Sequence, residues 1–177
     1  MIRSQINQMP PFFDRYINLV DDVELVDGLQ KSLQTFIEYD FSLLGRLGNH
    51  VYSADKWTVK DILLHIIDNE RIQSYRALRF ARNDKTVLHG YDEELLAANG
   101  CASSRTIQDL KNEFLSVRLS TITLFKSMTD EALQRKGMAF EVEISPLSLG
   151  FVIIGHQVHH FNVIKEMYLP LLATFNN

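Results

Sequence analysis

The sequence predicts an all-α protein built as a four-helix bundle. Three observations predict it. Apolar residues recur at three- and four-residue spacing in four long segments, no stretch alternates with period two for long, and helix-start signals precede several of the segments. The 177 residues are 46% hydrophobic and 23% charged, which excludes disorder and leaves enough material for one domain with its own core. No Gly/Ser linker, fixed-period repeat or composition break divides residues 1–177, so a single domain is expected.

The first segment runs from about Val23 to Leu44 and sets Leu25, Leu29, Leu33, Phe36 and Ile37 on one stripe. The second runs from Val59 to about Ala81. It opens on Thr58-Val59-Lys60-Asp61, a capping box with a carboxylate in the first turn. The third extends from about Thr106 to Met128, with Ser103 or Ser104 as the expected cap. The fourth starts at Ser145-Pro146, a capping serine with proline at the first helical position, and is expected to end before Pro170. Between the second and third lies a connection of about twenty residues, Asn83 to Ser103, long enough to read as a lid or site-forming segment. Asp92 to Asn99 is expected to form a short helix within it, and Glu141 to Ile144 a brief strand or extended turn.

Charge and cysteine usage narrow the function classes. Eighteen Lys and Arg against 22 Asp and Glu give a net charge of −4, and no basic run occurs, so nucleic acid is not an expected partner. One cysteine, Cys101, excludes an internal disulfide framework and any site built on several thiolates. The N-terminus lacks the apolar stretch of a secretory signal. The most apolar run, Ser145 to Gly155, falls short of the roughly 20 residues of a membrane span. A cytoplasmic, soluble protein without a membrane partner is expected.

The fourth segment carries the informative chemistry, Gly155-His156-Gln157-Val158-His159-His160. At about 100° per residue its core-facing stripe centres on Val152, Ile153, Val163, Ile164 and Met167, and His156 and His160 fall within that stripe. Two imidazoles one turn apart and aimed into an apolar interior need partners. A divalent ion would satisfy both, because i, i+4 spacing aims them at one point; hydrogen bonds to carbonyls or carboxylates across the bundle are the alternative. In the second segment His65 shares a wheel face with Asp61, Asp68, Ile72, Arg76 and Arg79, opposite Leu63, Ile67 and Leu78. If that polar face lines a cleft toward the fourth segment, His65 supplies a third nitrogen; otherwise it is the solvated side. His159, offset by about 60° from His156, ranks below the other two and reads as a ligand, a hydrogen-bond donor behind the ligands or a rim residue. His50 and His89 read as solvated loop residues, Trp57 as a core anchor closing the helix entrance, and Cys101 as a free thiol.

These residues resemble a known family. Trp57 through Arg71, with Asp61, His65, Asp68 and Glu70, followed by Tyr75 through Arg82, resembles the second helix of the DinB/YfiT-like superfamily, the DinB-like metalloenzymes of the DNA-damage-inducible family. The run Gly155 to His160 resembles the fourth-helix signature of that superfamily, and the likeness extends over essentially the whole chain, including Ser116-Val117-Arg118. The resemblance implies a bundle with up-down-down-up arrangement and often a homodimer. It also implies a metal held by one histidine of the second helix and an HxxxH pair of the fourth, here His65, His156 and His160. Characterised relatives include transferases that use bacillithiol, mycothiol or glutathione, and a mycothiol-dependent isomerase; others are known only as DNA-damage-induced proteins.

The expectation is a metal-dependent enzyme, a thiol-dependent S-transferase or a hydrolase, acting on a small electrophilic substrate. Its cofactors would be a divalent ion (zinc, nickel or iron) and, for transfer, a low-molecular-weight thiol. Asp68, Arg76 and His159 would orient ligands or hold a substrate carboxylate, with an intrahelical ion pair of Asp68 and Arg76 as the alternative. No separate nucleophile or general base can be named. The competing reading is a non-catalytic metal- or ligand-binding stress-response bundle.

Overall fold

The computed structural model describes residues 1–176. Three of the four long helices begin where a side chain closes the first turn; the first, starting at Leu25, has no such cap. Before these come a single 3-10 turn at Arg3–Gln5 and a short helix α1 (Asp14–Ile17). The first long element, α2 (Leu25–Glu38), is separated from α3 (Phe41–Leu47) by extended Tyr39 and by Asp40, whose side chain caps Ser42. The single segment expected over Val23 to Leu44 is therefore two helices. Phe36 is buried but Ile37 is exposed, so the stripe turns away from the core at the end of α2.

Helix α4 (Val59–Ala81) starts at the expected box. Thr58 Oγ1 accepts from Asp61 N at 3.2 Å, and the Asp61 carboxylate accepts from Thr58 N at 2.9 Å. The long connection contains the expected short helix, α5 (Glu93–Asn99), and Asp92 forms its cap rather than its first turn. Helix α6 (Ile107–Lys126) is capped not by Ser103 or Ser104 but by Thr106, which forms a second reciprocal box with Asp109. The two serines lie instead in a 3-10 turn, Ala102–Ser104.

After α7 (Asp130–Gln134), strands β1 (Gly137–Ala139) and β2 (Val142–Ile144) pair antiparallel with Ala139 opposite Val142. The two residues between them, Phe140 and Glu141, both have positive φ, the conformation of a tight hairpin whose twist suits its strands. Without Asn or Gly at the turn the sequence gives no hairpin signal, and only the second strand was anticipated.

Helix α8 (Pro146–Val163) begins at Ser145 and Pro146 as read. Pro146 to Gln157 is buried on every side, as expected for a helix apolar all round. It continues into a π-helical turn, Ile164–Tyr168, and 3-10 turns, Leu169–Asn176, that carry the chain past Pro170. The α-helix thus ends before Pro170 as expected, and Pro170 falls in the first turn of the 3-10 segment, where a missing amide costs no internal bond. Within the π-helical turn Met167, placed on the core stripe by a uniform α-helical wheel, is exposed.

The four long helices α2, α4, α6 and α8 form the bundle. Helices α6 and α8 each pack against both α2 and α4, and α1 packs along α8. Where the helices meet, Arg118 of α6 holds Glu70 of α4 by two hydrogen bonds, 2.8 and 2.9 Å, and donates to the Ser32 hydroxyl of α2. One apolar cluster gathers α1, α7 and the first half of α8; a second gathers α3, the first half of α4, and Ile164 and Tyr168.

Candidate metal centre

His65 lies two turns into α4, and His156 and His160 lie one turn apart in the second half of α8, the helix packed most extensively on α4. Their nitrogens converge. His156 Nε2 is 3.0 Å from His65 Nε2 and 3.1 Å from His160 Nε2, and one ligand atom from each ring lies within 4.8 Å of the others. His65 and His156 are buried and His160 half-buried.

The ring protonation follows from that burial. Desolvation first, and then the charge of His159, pushes His65 from 6.5 down to about 4. Desolvation, with His65 and His159 adding to it, takes His160 to about 3. His156, the most enclosed, is lowered well below its ordinary value by desolvation first and then by His160 and His65. All three are neutral near pH 7, the form that offers a lone pair to a metal. A neutral Nε2 carries either a proton or a lone pair, so His156 cannot serve both neighbours well at once. One cation taking three lone pairs resolves that conflict, and the donor set fits a divalent ion of the zinc, nickel or iron type.

The centre borders a cavity of about 300 Å³ lined by His156, Val152, Asn69, Gln73, Arg76 and Tyr91, with Phe12, Phe13, Arg15 and Tyr16 from the N-terminal arm. His160 faces a second cleft, with Trp57 and Glu94. Trp57 is half-buried rather than a plain core anchor. Its ring lies 4.8 Å from the His65 ring, and its Nε1 donates to Glu94 at 2.9 Å.

The remaining candidates separate. Arg76 is buried in the cavity wall, where it donates to Gln73 Oε1 at 3.3 Å and to the His89 carbonyl at 2.8 Å. Asp68 does not meet it. Arg71 donates to Asp68 at 3.5 Å and to Glu113 of α6, away from the cavity, so the intrahelical pair considered for Asp68 and Arg76 does not form. Burial raises the Asp68 carboxyl above its ordinary value, partly offset by Arg71. His159 stands outside the convergent trio, its ring edge-on to Tyr16 and His160. His89 is exposed and enters through its backbone alone; Cys101 is also exposed.

Sequence reasoning missed Asn69, Gln73, Tyr91 and the arm residues Arg15 and Tyr16. Asn69 and Gln73 follow His65 at successive four-residue steps, a signal present in the sequence. Which half of the polar face turned inward was decided by packing: the 69–73–76 side meets α8 and the arm, whereas Asp68 turns toward α6. Nothing in the sequence marks Tyr91, which reaches the site through the long connection and accepts from Asn69 Nδ2 at 2.7 Å.

A helical bundle with three convergent histidines on two of its long helices offers a set of metal ligands. Residues 27–164 match the DinB superfamily, and the chain belongs to that superfamily. The fold is also that of YfiT from Bacillus subtilis, described as a probable metal-dependent hydrolase with an unusual four-helix bundle topology. The similarity covers 90% of this chain and 87% of that one, with a TM-score of 0.67 and 16% identity. No curated protein matches the chain. Among the described residues no helix is long and apolar enough to cross a membrane.

Proposed function

We propose that this protein is a metal-dependent enzyme that hydrolyses a small molecule held in the cavity beside His156. The observation that carries the reading is the convergence of three neutral imidazoles, one of which, His156, lines a cavity. A three-nitrogen set leaves positions open for substrate, the pattern of a catalytic rather than a structural ion. When bound, a divalent ion would supply Lewis acidity there, polarising a carbonyl or acidifying water.

The chain's own residues hold and shield that chemistry. His65, His156 and His160 are the ligands. Trp57 packs on the His65 ring and restrains it, and Tyr16 does the same for His156, their ring centroids 5.1 Å apart. The description of YfiT points the same way. A cavity of about 300 Å³ is at the small end for ligand sites and suits one modest substrate with water better than a bulky thiol beside its electrophile. Thiol transfer is therefore the outcome that the assay must separate.

Metal removal and restoration tests the reading. Wild type without an affinity tag should gain melting temperature on adding zinc or nickel. At a hundredfold excess over Kd the gain is about 2.7 kcal/mol, or roughly 5–10 °C for a chain of this size. His160→Ala should gain little. Hydrolysis of a panel of small esters, amides and lactones should disappear with a chelator and return with the ion, without any thiol. Equal melting gains in wild type and His160→Ala would overturn the site, and turnover only with added thiol would replace hydrolysis by transfer.

A further inference from the structure

Two arginines are buried among the described residues, Arg76 and Arg118. Their surroundings differ in one respect. Arg118 is matched by a carboxylate, with both Glu70 oxygens taking its fork. Arg76, 3% exposed, meets only neutral acceptors, Gln73 Oε1 and the His89 carbonyl, with the Tyr91 ring 5.7 Å from its Cζ. No carboxylate pairs with it among the described residues. A guanidinium stays charged at any ordinary pH, and burying it unpaired is costly. A ligand can supply the missing partner, and here the guanidinium lines the cavity that also reaches His156.

The rest of the cavity limits what that partner can be. Phe12, Phe13, Phe140 and Val152 form an apolar wall sized for a ring or a short branched chain. Asn69 Oδ1 is enclosed and has no hydrogen-bond partner, so a donor on the ligand would be accepted there. Two acids also line the cavity, Asp92 and Glu93, but both are exposed, and Asp92 is engaged in capping α5. The exposed Arg15 also lines the cavity and offsets one of the two acids, so the mouth keeps net negative charge and disfavours a dianion.

We propose that the cavity selects small organic monoanions, a carboxylate on an apolar body, with Arg76 taking the carboxylate in a two-bonded fork and the phenylalanine wall enclosing the body. The inference rests on reading this cavity as the substrate site. It narrows the substrate class to carboxylic acids that carry a hydrolysable group reaching toward His156. Planar fork-to-carboxylate pairing is the geometry an arginine gives and a lysine does not.

Matched probes test it apart from the metal. Metal-free full-length protein is titrated with phenylacetate, its neutral counterpart phenylacetamide, and benzylphosphonate, followed by calorimetry and by amide shifts of cavity residues. Phenylacetate should bind at least about ten-fold more tightly than phenylacetamide and than the phosphonate, which is largely dianionic at pH 8. Arg76→Gln should erase the preference over the amide, and Arg76→Lys should keep part of it. Equal binding of acid and amide by wild type, a preference that survives Arg76→Gln, or no carboxylate binding at millimolar concentration would each overturn the proposal. The wild-type comparison stands even if a variant fails to fold. A separate zinc titration keeps the two readings distinct. Zinc binding without acid selectivity sinks this inference alone, and acid selectivity without zinc binding sinks the metal reading alone.

Discussion

The Glu70–Arg118 pair fixes α4, and with it His65, against α6 and α2, and its removal has a calculable cost. Glu70 is 2% exposed and Arg118 is fully buried, so neither charge can turn to water if its partner is lost. Arg118→Met keeps the aliphatic stem but removes both bonds to Glu70, the bond to Ser32 and the contact with the Phe114 ring, 4.8 Å from its Cζ. Glu70→Gln leaves the guanidinium with a neutral partner instead. Breaking one side of a buried pair typically costs about 3–5 kcal/mol, against a total stability of roughly 5–15 kcal/mol for a natural domain. Replacing both sides with apolar groups removes the orphan, and such double replacements are often close to neutral. Urea unfolding followed by circular dichroism should therefore show Arg118→Met losing about 3–5 kcal/mol. The Glu70→Leu/Arg118→Met double variant should lose much less than the sum of the two single losses. A single variant within about 1 kcal/mol of wild type, or a double variant equal to that sum, would refute the assignment of a coupled buried charge pair.

Two further outcomes follow from close packing and from protonation. At Gly155, next to His156, a methyl group would enter the carbonyl of Tyr16, where α1 crosses α8. Gly155→Ala should thus lose about 1–3 kcal/mol despite alanine's better helix propensity, and chemical denaturation showing equal or higher stability would contradict that approach. In metal-free protein, His65 and His160 bind protons more weakly folded, at about 4 and about 3, than unfolded, near 6.5. Acidification therefore favours unfolding. Their contribution is complete above about pH 6.5 and is lost as pH falls through the folded values, by up to about 1.4 kcal/mol per pH unit for each ring. Stability measured from pH 6.5 to 4 should fall less steeply in the His65→Gln/His160→Gln variant; parallel curves would show that the rings do not carry the effect.

Local rules settled in the sequence what depends on neighbours along the chain. The boxes Thr58–Asp61 and the Ser145-Pro146 start close their own first turns, so both helix beginnings fall where the residues place them. The i, i+4 spacing of His156 and His160 aims two nitrogens at one point whatever surrounds them. The DinB signature in α4 and α8 was legible for the same reason, because both motifs are continuous in sequence. Where two signals compete, as with Ser103, Ser104 and Thr106, the reciprocal box prevailed over the isolated serines, since it satisfies two backbone groups rather than one.

Long-range packing decided the rest. His65 could have faced solvent; the packing of α4 on α8 turned it to within 3.0 Å of His156. The same rotation gave Asp68 to Arg71 and the α6 side, and Arg76 to the cavity, a division no wheel can make because it depends on where two other helices lie. The cavity joins residues far apart in the chain, the arm at Phe12–Tyr16, the long connection at Tyr91 and the hairpin turn at Phe140, and none carries a local signal for that meeting. The sequence by itself determined which residues could bind a metal; only the tertiary structure decided that they meet, because convergence is a property of packed helices and not of any one of them.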